Sequence, residues 1–214
     1  MPHDHHDHDP LSPSGHPYRP DQDGPLTYWQ ALEIAARELM IEKGVVTAAE
    51  IAAQVDAMDA RSPADGARLV ARAWTDPAFR RRLLDDAPAA CAEMGLEIGP
   101  LRLIALENTD RLHNVVVCTL CSCYPRNLLG LPPDWYKSRE YRSRTVREPR
   151  AVLREFGVLL PEGTELRVHD STADMRYVVI PRRPEGSEGL DEAALAALVT
   201  RDSMIGTGLA RPPR

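Results

Sequence analysis

The chain has 214 residues, a formal net charge of −6 and ordinary contents of apolar and charged residues. This length supports one or two domains, and the acidic balance argues against a nucleic-acid-binding protein, which would be expected to carry a basic face. The start lacks the apolar stretch of a signal peptide, and no later run is long enough to cross a membrane. We therefore expect a cytoplasmic protein without membrane or nucleic-acid partners, in which clustered cysteines indicate metal or redox chemistry.

Composition divides the chain into three parts. Residues 1–25 are rich in proline, glycine and charge, with histidines alternating with aspartates, and predict a disordered tail. This tail is either a solvated segment without a role or a weak chelator of divalent metal. Residues 26–62 predict a helical N-terminal arm, and residues 63–214 predict an α+β domain that holds the cysteines.

The N-terminal half is predicted to be helical. Apolar residues at helical spacing predict a first helix with Thr27 as N-cap and Gly44 at its end, and an alanine-rich second helix over 47–60. Prolines at helix starts predict three further helices, beginning near Pro63, Pro77 and Pro88.

The second half adds strands. Runs of β-branched and aliphatic residues predict strands over 101–107, 114–118, 165–170 and 176–181. A helix kinked or broken by Pro149 is predicted over 139–156, and a short one over 191–199. The predicted fold class is α+β: a helical N-terminal arm, then a layered α-β-β-α domain with the cysteine loop at the end of a strand.

Three of the four cysteines lie within six positions of the segment VVVCTLCSCYP, while Cys91 stands apart in a predicted helix. Three thiols in this array would be an unusual way to fill a core. A structural zinc site takes four ligands, usually as pairs from two distant knuckles, and an iron–sulfur cluster also takes four cysteines. A thioredoxin-like pair should open a helix, whereas here Cys123 and Pro125 follow at once.

The Cys-Ser-Cys part of this segment offers another geometry. The sulfurs of Cys121 and Cys123, with the backbone nitrogens of Ser122 and Cys123, can define a square plane around one metal. Cys118 can then cap that plane from an axial direction, which leaves a sixth position open, as in catalytic metal sites. Thiolates and deprotonated amides suit trivalent cobalt or iron better than zinc.

The C-T-L-C-S-C motif resembles the metal loop of the nitrile hydratase α subunit. Other stretches between roughly residues 30 and 208 resemble the same family, among them LVARAWTDPAFRRRLL and LGLPPDWYKSREYRSRTVREPRAVLREFG. Thr119 and Tyr124 match its cobalt pattern rather than its iron pattern. The resemblance therefore implies a hydro-lyase with non-corrin Co(III), with iron as the second choice, and makes residues 63–214 the catalytic metal-binding domain.

The resemblance also implies roles for the residues of the motif. Cys118 would be an unmodified axial thiolate, and Ser122 and Cys123 would supply amide nitrogens. Cys121 would be oxidised to cysteine-sulfinic acid and Cys123 to cysteine-sulfenic acid. These two cysteines would be the catalytic groups that hydrate a nitrile to an amide.

Further residues are implied to border the metal ligands or the substrate channel. The segment HDSTADMR matches a family segment that supports the site, and its alternative interpretation is a hairpin with surface charges. The bordering residues are Thr119, Tyr124, Arg126, Asp170, Ser171 and Arg176.

The resemblance implies partners as well. These are a β-type subunit, in a heterodimer or heterotetramer, whose arginines hold the oxidised sulfurs, a small activator or metallochaperone protein, and a small-molecule nitrile, bulky or heteroaromatic. The arginines of 139–154 would form ion pairs with the other subunit.

Two alternatives remain open. Arg126 stands where cobalt nitrile hydratases often carry tryptophan, and the γ subunit of thiocyanate hydrolase, a close relative, resembles this chain there. Hydrolysis of thiocyanate to carbonyl sulfide and ammonia is therefore the alternative activity. A non-enzymatic metal-storage or redox module ranks third.

Overall fold

The computed structural model describes residues 25–121 and 123–213. The predicted disordered tail therefore lies outside the described residues except for Pro25, and Ser122 lies outside them too. The chain divides into two compact units, with the boundary between Asp56 and Ala57. The domain limits drawn from the sequence at residues 25 and 62 stay predictions. Within the described part, no helix is both long and apolar enough to span a bilayer.

The described part of the N-terminal unit contains helix α1 (Tyr28–Glu42) and the first part of helix α2 (Ala48–Asp59). Thr27 caps α1 as predicted, in a capping box in which its side chain and that of Gln30 each bind the other's backbone N–H. Neither helix contains a buried residue. Local capping, rather than burial, is therefore what defines these helices within this chain.

The larger unit contains nine described helices. They are α3 (Ala64–Thr75), α4 (Pro77–Asp85), α5 (Ala87–Glu93), α6 (Arg126–Leu129), α7 (Asp134–Lys137), α8 (Arg139–Arg147), α9 (Pro149–Glu155), α10 (Glu192–Leu198) and α11 (Arg201–Ile205). Asp76 caps α4 by accepting bonds from the N–H groups of Ala78 and Phe79. Pro149 splits the helix predicted over 139–156 into α8 and α9, because proline lacks the N–H that a continuous helix requires. The helices α6, α7 and α11 were not predicted.

Four strands form two separate parallel pairs. Strand β1 (Arg102–Glu107) pairs with β4 (Met175–Ile180), and β2 (Leu112–Val117) pairs with β3 (Glu165–Asp170). Strand β2 begins two residues before its predicted start and ends just before Cys118. Because β3 and β4 belong to different pairs, the hairpin interpretation of the segment between them is wrong.

Helices pack against both strand pairs, in keeping with the predicted α+β class. Helices α4 and α5 pack on β1 and α11 packs on β4, whereas α8 packs on β2 and α9 on β3. Strand β2 is buried at five of its six positions. The end of α11 presses on this strand, since a Cβ added to Gly206, at φ +90°, would lie 2.0 Å from the carbonyl oxygen of Asn114. The cysteines thus follow one of the most enclosed strands of the fold.

Candidate metal centre

The cysteine loop, residues 118–123, begins where β2 ends. Parallel pairing places Asp170 opposite Val117, so β2 and β3 end at the same edge. The Ser171 N–H donates to the Val117 carbonyl at 2.7 Å and extends this pairing by one step. Cys118 therefore leaves the strand with its side chain fully buried, and Asp170, 51 positions after Thr119 in the chain, stands beside the start of the loop.

The structure brings the three sulfur atoms of the loop together. The Cys118 and Cys121 sulfurs lie 3.4 Å apart, and the Cys121 and Cys123 sulfurs 3.1 Å apart. All three lie within 4.8 Å of one another, and none of the three forms a disulfide bond. The Cys121 N–H also donates to the Cys118 sulfur at 3.3 Å. Three converging soft donors fit a single thiophilic ion.

Within the described residues, no further histidine, cysteine or carboxylate completes this cluster. Cys91 is buried in α5, and desolvation raises the pKa of its thiol to about 11. A four-cysteine zinc or iron–sulfur site is therefore not formed. The predicted ligand Ser122 lies outside the described residues, so its backbone nitrogen stays a predicted ligand.

Burial also controls the protonation of Cys123. The pKa of the Cys123 thiol is raised to about 12, mainly by desolvation and to a smaller extent by the hydrogen bond with Cys121. The positive charge of Arg176 opposes that rise. The thiol is therefore protonated at neutral pH when no cation is bound. A bound cation would reverse this, because coordination deprotonates a thiol.

Asp170 binds Thr119, the second residue of the cysteine loop. One carboxylate oxygen accepts the Thr119 N–H at 2.9 Å, and the other accepts the Thr119 hydroxyl at 2.5 Å. The Arg142 guanidinium, from α8, donates to the Thr119 carbonyl at 3.4 Å. The Thr119 backbone is therefore fixed from two sides, which gives two sequence-predicted residues, Thr119 and Asp170, a direct contact.

Two buried tyrosines that were not predicted hold the ends of the loop region. The Tyr141 hydroxyl donates to the Val116 carbonyl at 2.7 Å, and the Tyr136 hydroxyl donates to the Cys123 carbonyl at 2.9 Å. Burial raises the pKa of both phenols well above its usual range, so they remain protonated donors at neutral pH. These contacts could not be predicted from the sequence, because the tyrosines lie 13 and 25 positions after their acceptors, in helices α7 and α8.

The remaining predicted residues take different positions. The Tyr124 hydroxyl is buried with no hydrogen-bond partner among the described residues, and the buried Ser171 hydroxyl lies next to that of Tyr136. Arg176 donates to the backbone carbonyls of Thr172, Ala173 and Met175, and its Nε is buried without a partner among the described residues. Arg126 is exposed at the start of α6.

Arg126 and Arg176 line a common small cavity. Its other walls are largely apolar and include Ile98, Leu103 and Leu128. The structure thus brings Arg126 and Arg176 together just beyond the cysteine loop, although the sequence separates them by 50 positions.

Residues 27–208 match the protein family described as nitrile hydratase, alpha chain. The chain belongs to this family. It is therefore a subunit of an enzyme, as predicted from the cysteine motif. The alternative of a non-enzymatic metal-storage or redox module loses its support.

Curated relatives place the chain more closely within the family. It is 51% identical over 189 residues to a nitrile hydratase subunit alpha from Rhodococcus sp, covering 85% of this chain and 95% of the relative. It is 48% identical to the low-molecular weight cobalt-containing nitrile hydratase subunit alpha of Rhodococcus rhodochrous, covering 85% and 91%. It is also 43% identical to the thiocyanate hydrolase subunit gamma of Thiobacillus thioparus, covering 86% and 81%.

Solved structures show the same relationships. A recombinant thiocyanate hydrolase with partially modified cobalt centres superposes with a TM-score of 0.82 at 42% identity, covering 88% of this chain and 92% of that one. A double mutant of the Fe-type nitrile hydratase from Comamonas testosteroni Ni1 has a TM-score of 0.80 at 42% identity, covering 89% and 94%. The fold thus accompanies both metals and both activities among its relatives.

Proposed function

We propose that this chain is the α subunit of a cobalt-type nitrile hydratase, which hydrates organic nitriles to amides. The convergence of three cysteine sulfurs at the end of β2 carries the proposal, since this donor set suits a thiophilic ion. The cobalt-containing relative at 48% identity supports cobalt, and Thr119 and Tyr124 follow the cobalt pattern. Iron is the second choice, in keeping with the Fe-type structural relative.

The residues that would hold the metal are Cys118, Cys121 and Cys123 through sulfur, and Ser122 and Cys123 through backbone nitrogen. The bound trivalent metal would supply Lewis acidity at the open position. Cys118, which is fully buried, is shielded from oxidants and is the unmodified thiolate in this proposal. Cys121 and Cys123 are more accessible and are the positions proposed for sulfinic and sulfenic oxidation.

Cys123 is the proposed reacting group. Its sulfenate oxygen would either attack the nitrile carbon or take the proton from the attacking water, and addition of one water across the triple bond gives the amide. Arg176 is close enough to lower the pKa of the Cys123 thiol, so it adds positive charge where the oxidised sulfur would be negative.

The active form is proposed to contain a β-type subunit, in a heterodimer or heterotetramer. Oxidised sulfurs carry negative charge, and burying such charge without cationic partners is costly. Within this chain, Arg176 is largely committed to backbone carbonyls. Further cations from a partner would complete the site. A small activator or metallochaperone protein is proposed to assist cobalt loading.

Metal and oxidation can be tested together. We expect about one cobalt per chain in a complex expressed in cobalt-supplemented medium, because the cluster offers one site. Mass spectrometry of the peptide that contains residues 118–123 should show added oxygen on Cys121 and Cys123 but none on Cys118. Stoichiometric iron or zinc, or a fully reduced peptide from an active complex, would contradict the proposal.

A second candidate, thiocyanate hydrolysis, is supported by Arg126 and by the 43% identical thiocyanate hydrolase relative. An assay of the assembled complex against an organic nitrile and against thiocyanate separates the two. We expect amide from the nitrile. Carbonyl sulfide from thiocyanate, with no amide from any nitrile, would favour the second candidate.

Arg126→Trp sharpens this choice. The exposed Arg126 side chain borders the small cavity next to the loop. In a nitrile hydratase, tryptophan there should shift the preference among nitriles while hydration persists. In a thiocyanate hydrolase, loss of the cation should remove thiocyanate turnover. Kinetic constants for both substrate classes, measured on the variant complex, distinguish these outcomes.

A further inference from the structure

The ends of the cysteine loop are held by two tyrosine hydroxyl groups from the consecutive helices α7 and α8. Tyr141, in α8, binds the carbonyl of Val116, two residues before Cys118. Tyr136, in α7, binds the carbonyl of Cys123 itself. We call these two residues the tyrosine frame. Its two acceptors bracket all three cysteines, so the frame sets the distance that the loop must span.

Aromatic packing fixes the tyrosine frame in place. The Tyr136 and Tyr141 rings lie 5.7 Å apart between centroids, and Trp135 packs edge-on against Tyr141 at 4.8 Å. The Tyr136 ring also meets the ring of Tyr124, the residue after Cys123, at 5.2 Å. Tyr136 is fully buried and Tyr141 nearly so. Neither hydroxyl can therefore move without repacking the core.

We propose that Tyr136 and Tyr141 are positioning residues that bring the cysteine sulfurs together before a metal binds. The inference rests on the proposed metal-binding function and deepens it. The sulfurs lie within 4.8 Å of one another, and the hydroxyl-to-carbonyl bonds at both ends of the loop hold its backbone in the arrangement that brings them together. A site held in its binding geometry loses less conformational freedom when the ligand arrives.

Tyr136 should matter more than Tyr141. Its acceptor belongs to a proposed metal ligand, whereas the acceptor of Tyr141 lies two residues outside the loop. Replacement by phenylalanine removes one hydroxyl, and with it the bond to the loop carbonyl, and keeps the ring packing. Tyr177→Phe is the matched control, because the Tyr177 hydroxyl donates to the Met175 sulfur, at 3.7 Å within β4.

The test uses the assembled complex prepared without cobalt and titrated with cobalt(II). We expect Tyr136→Phe to weaken cobalt affinity about tenfold, the lower end of the effect for groups that orient metal ligands. Tyr141→Phe should weaken it less, and Tyr177→Phe should match the wild type. The sulfur-to-cobalt absorption band should shift in Tyr136→Phe, because Cys123 would approach the ion differently.

Several outcomes would overturn the inference. If Tyr136→Phe lowers the unfolding temperature but leaves the affinity and the absorption band unchanged, its role is structural only. If Tyr136→Phe fails to assemble, Tyr141→Phe carries the test with the same two measurements, and unchanged values there contradict the inference.

The inference and the proposed function can fail separately. A wild-type complex that binds no cobalt contradicts the proposed function. The tyrosine frame is then tested by the rate at which a thiol reagent modifies Cys123, located by mass spectrometry. That rate should rise in Tyr136→Phe, and an unchanged rate contradicts the inference.

Discussion

The two parallel strand pairs have the same construction and different ends. Each pairs two six-residue strands in register, and each ends on a carboxylate, Glu107 in β1 and Asp170 in β3. Glu107 forms an ion pair with Arg80 of α4 at 3.1 Å. Asp170 instead binds the backbone and side chain of Thr119 inside the cysteine loop.

The end of one strand pair therefore contributes to stability, and the end of the other shapes the proposed metal site. After β1 and β4 the chain makes contacts that join layers, such as the bond from the Trp74 indole N–H to the Pro181 carbonyl at 2.8 Å. After β2 and β3 it makes contacts that shape a loop of thiols. Because paired parallel strands end at the same edge, one strand of a pair can lead into a loop while its partner strand supports that loop. Substitutions at the two ends should therefore affect different measurements.

The largest effect is expected at Cys123. Cys123→Ser removes the proposed ligand and the oxidised sulfur, so turnover of the assembled complex should fall below detection. The unfolding temperature of the metal-free form should stay close to that of the wild type, since Cys123 is only partly buried. Measurable nitrile hydration by the serine variant would contradict the assigned role.

Cys91→Ala is the matched control on the other strand pair. Cys91 is fully buried in α5, which packs on β1. Its replacement should cost about 1 kcal/mol of unfolding free energy, because it removes one buried heavy atom. Turnover and cobalt content should not change. A loss of cobalt in this variant would erase the difference between the two regions.

A smaller effect is expected from Asp170→Asn. The amide oxygen can still accept the Thr119 N–H and the amide NH2 can donate to the Thr119 hydroxyl, but both bonds lose the carboxylate charge that strengthens them. Cobalt affinity of the metal-free complex should fall by about tenfold, as for other groups that orient metal ligands. Thr119→Ser keeps both bonds and should bind cobalt as the wild type does, whereas Thr119→Val should resemble Asp170→Asn.

The smallest effect is expected from Glu107→Gln, the same acid-to-amide change at the end of β1. It breaks a partly exposed ion pair with Arg80, and such pairs contribute about 0 to 1 kcal/mol. Chemical denaturation should detect at most this loss, and cobalt affinity should remain that of the wild type. Equal cobalt losses in Glu107→Gln and Asp170→Asn would show that general weakening of the sheets, rather than loop geometry, controls metal binding.

Local signals made part of this molecule predictable from its sequence. Thr27 and Asp76 mark helix starts because their side chains bind N–H groups two or three residues away. The spacing of Cys118, Cys121 and Cys123 within six residues already restricted the chemistry. Pro149 predicted a break that the structure shows between α8 and α9.

Long-range contacts account for what the sequence could not show. The helices α6 and α7 have four residues each, too few for a helical periodicity to appear. The sequence could not exclude a hairpin after Asp170, because it does not show that β3 pairs with β2 and β4 with β1. The sequence did not single out Tyr136 and Tyr141, because only the folded chain places their hydroxyls on the loop carbonyls.

The order of these residues along the chain has a consequence for biosynthesis. Every group that shapes the loop, from Tyr136 to Asp170, follows the cysteines, and Asp170 comes 51 residues after its partner Thr119. At ribosomal rates, about 3 to 10 s pass between the synthesis of these two residues. During that interval the loop lacks its contact with Asp170, so metal capture by the fully supported loop has to follow synthesis of β3.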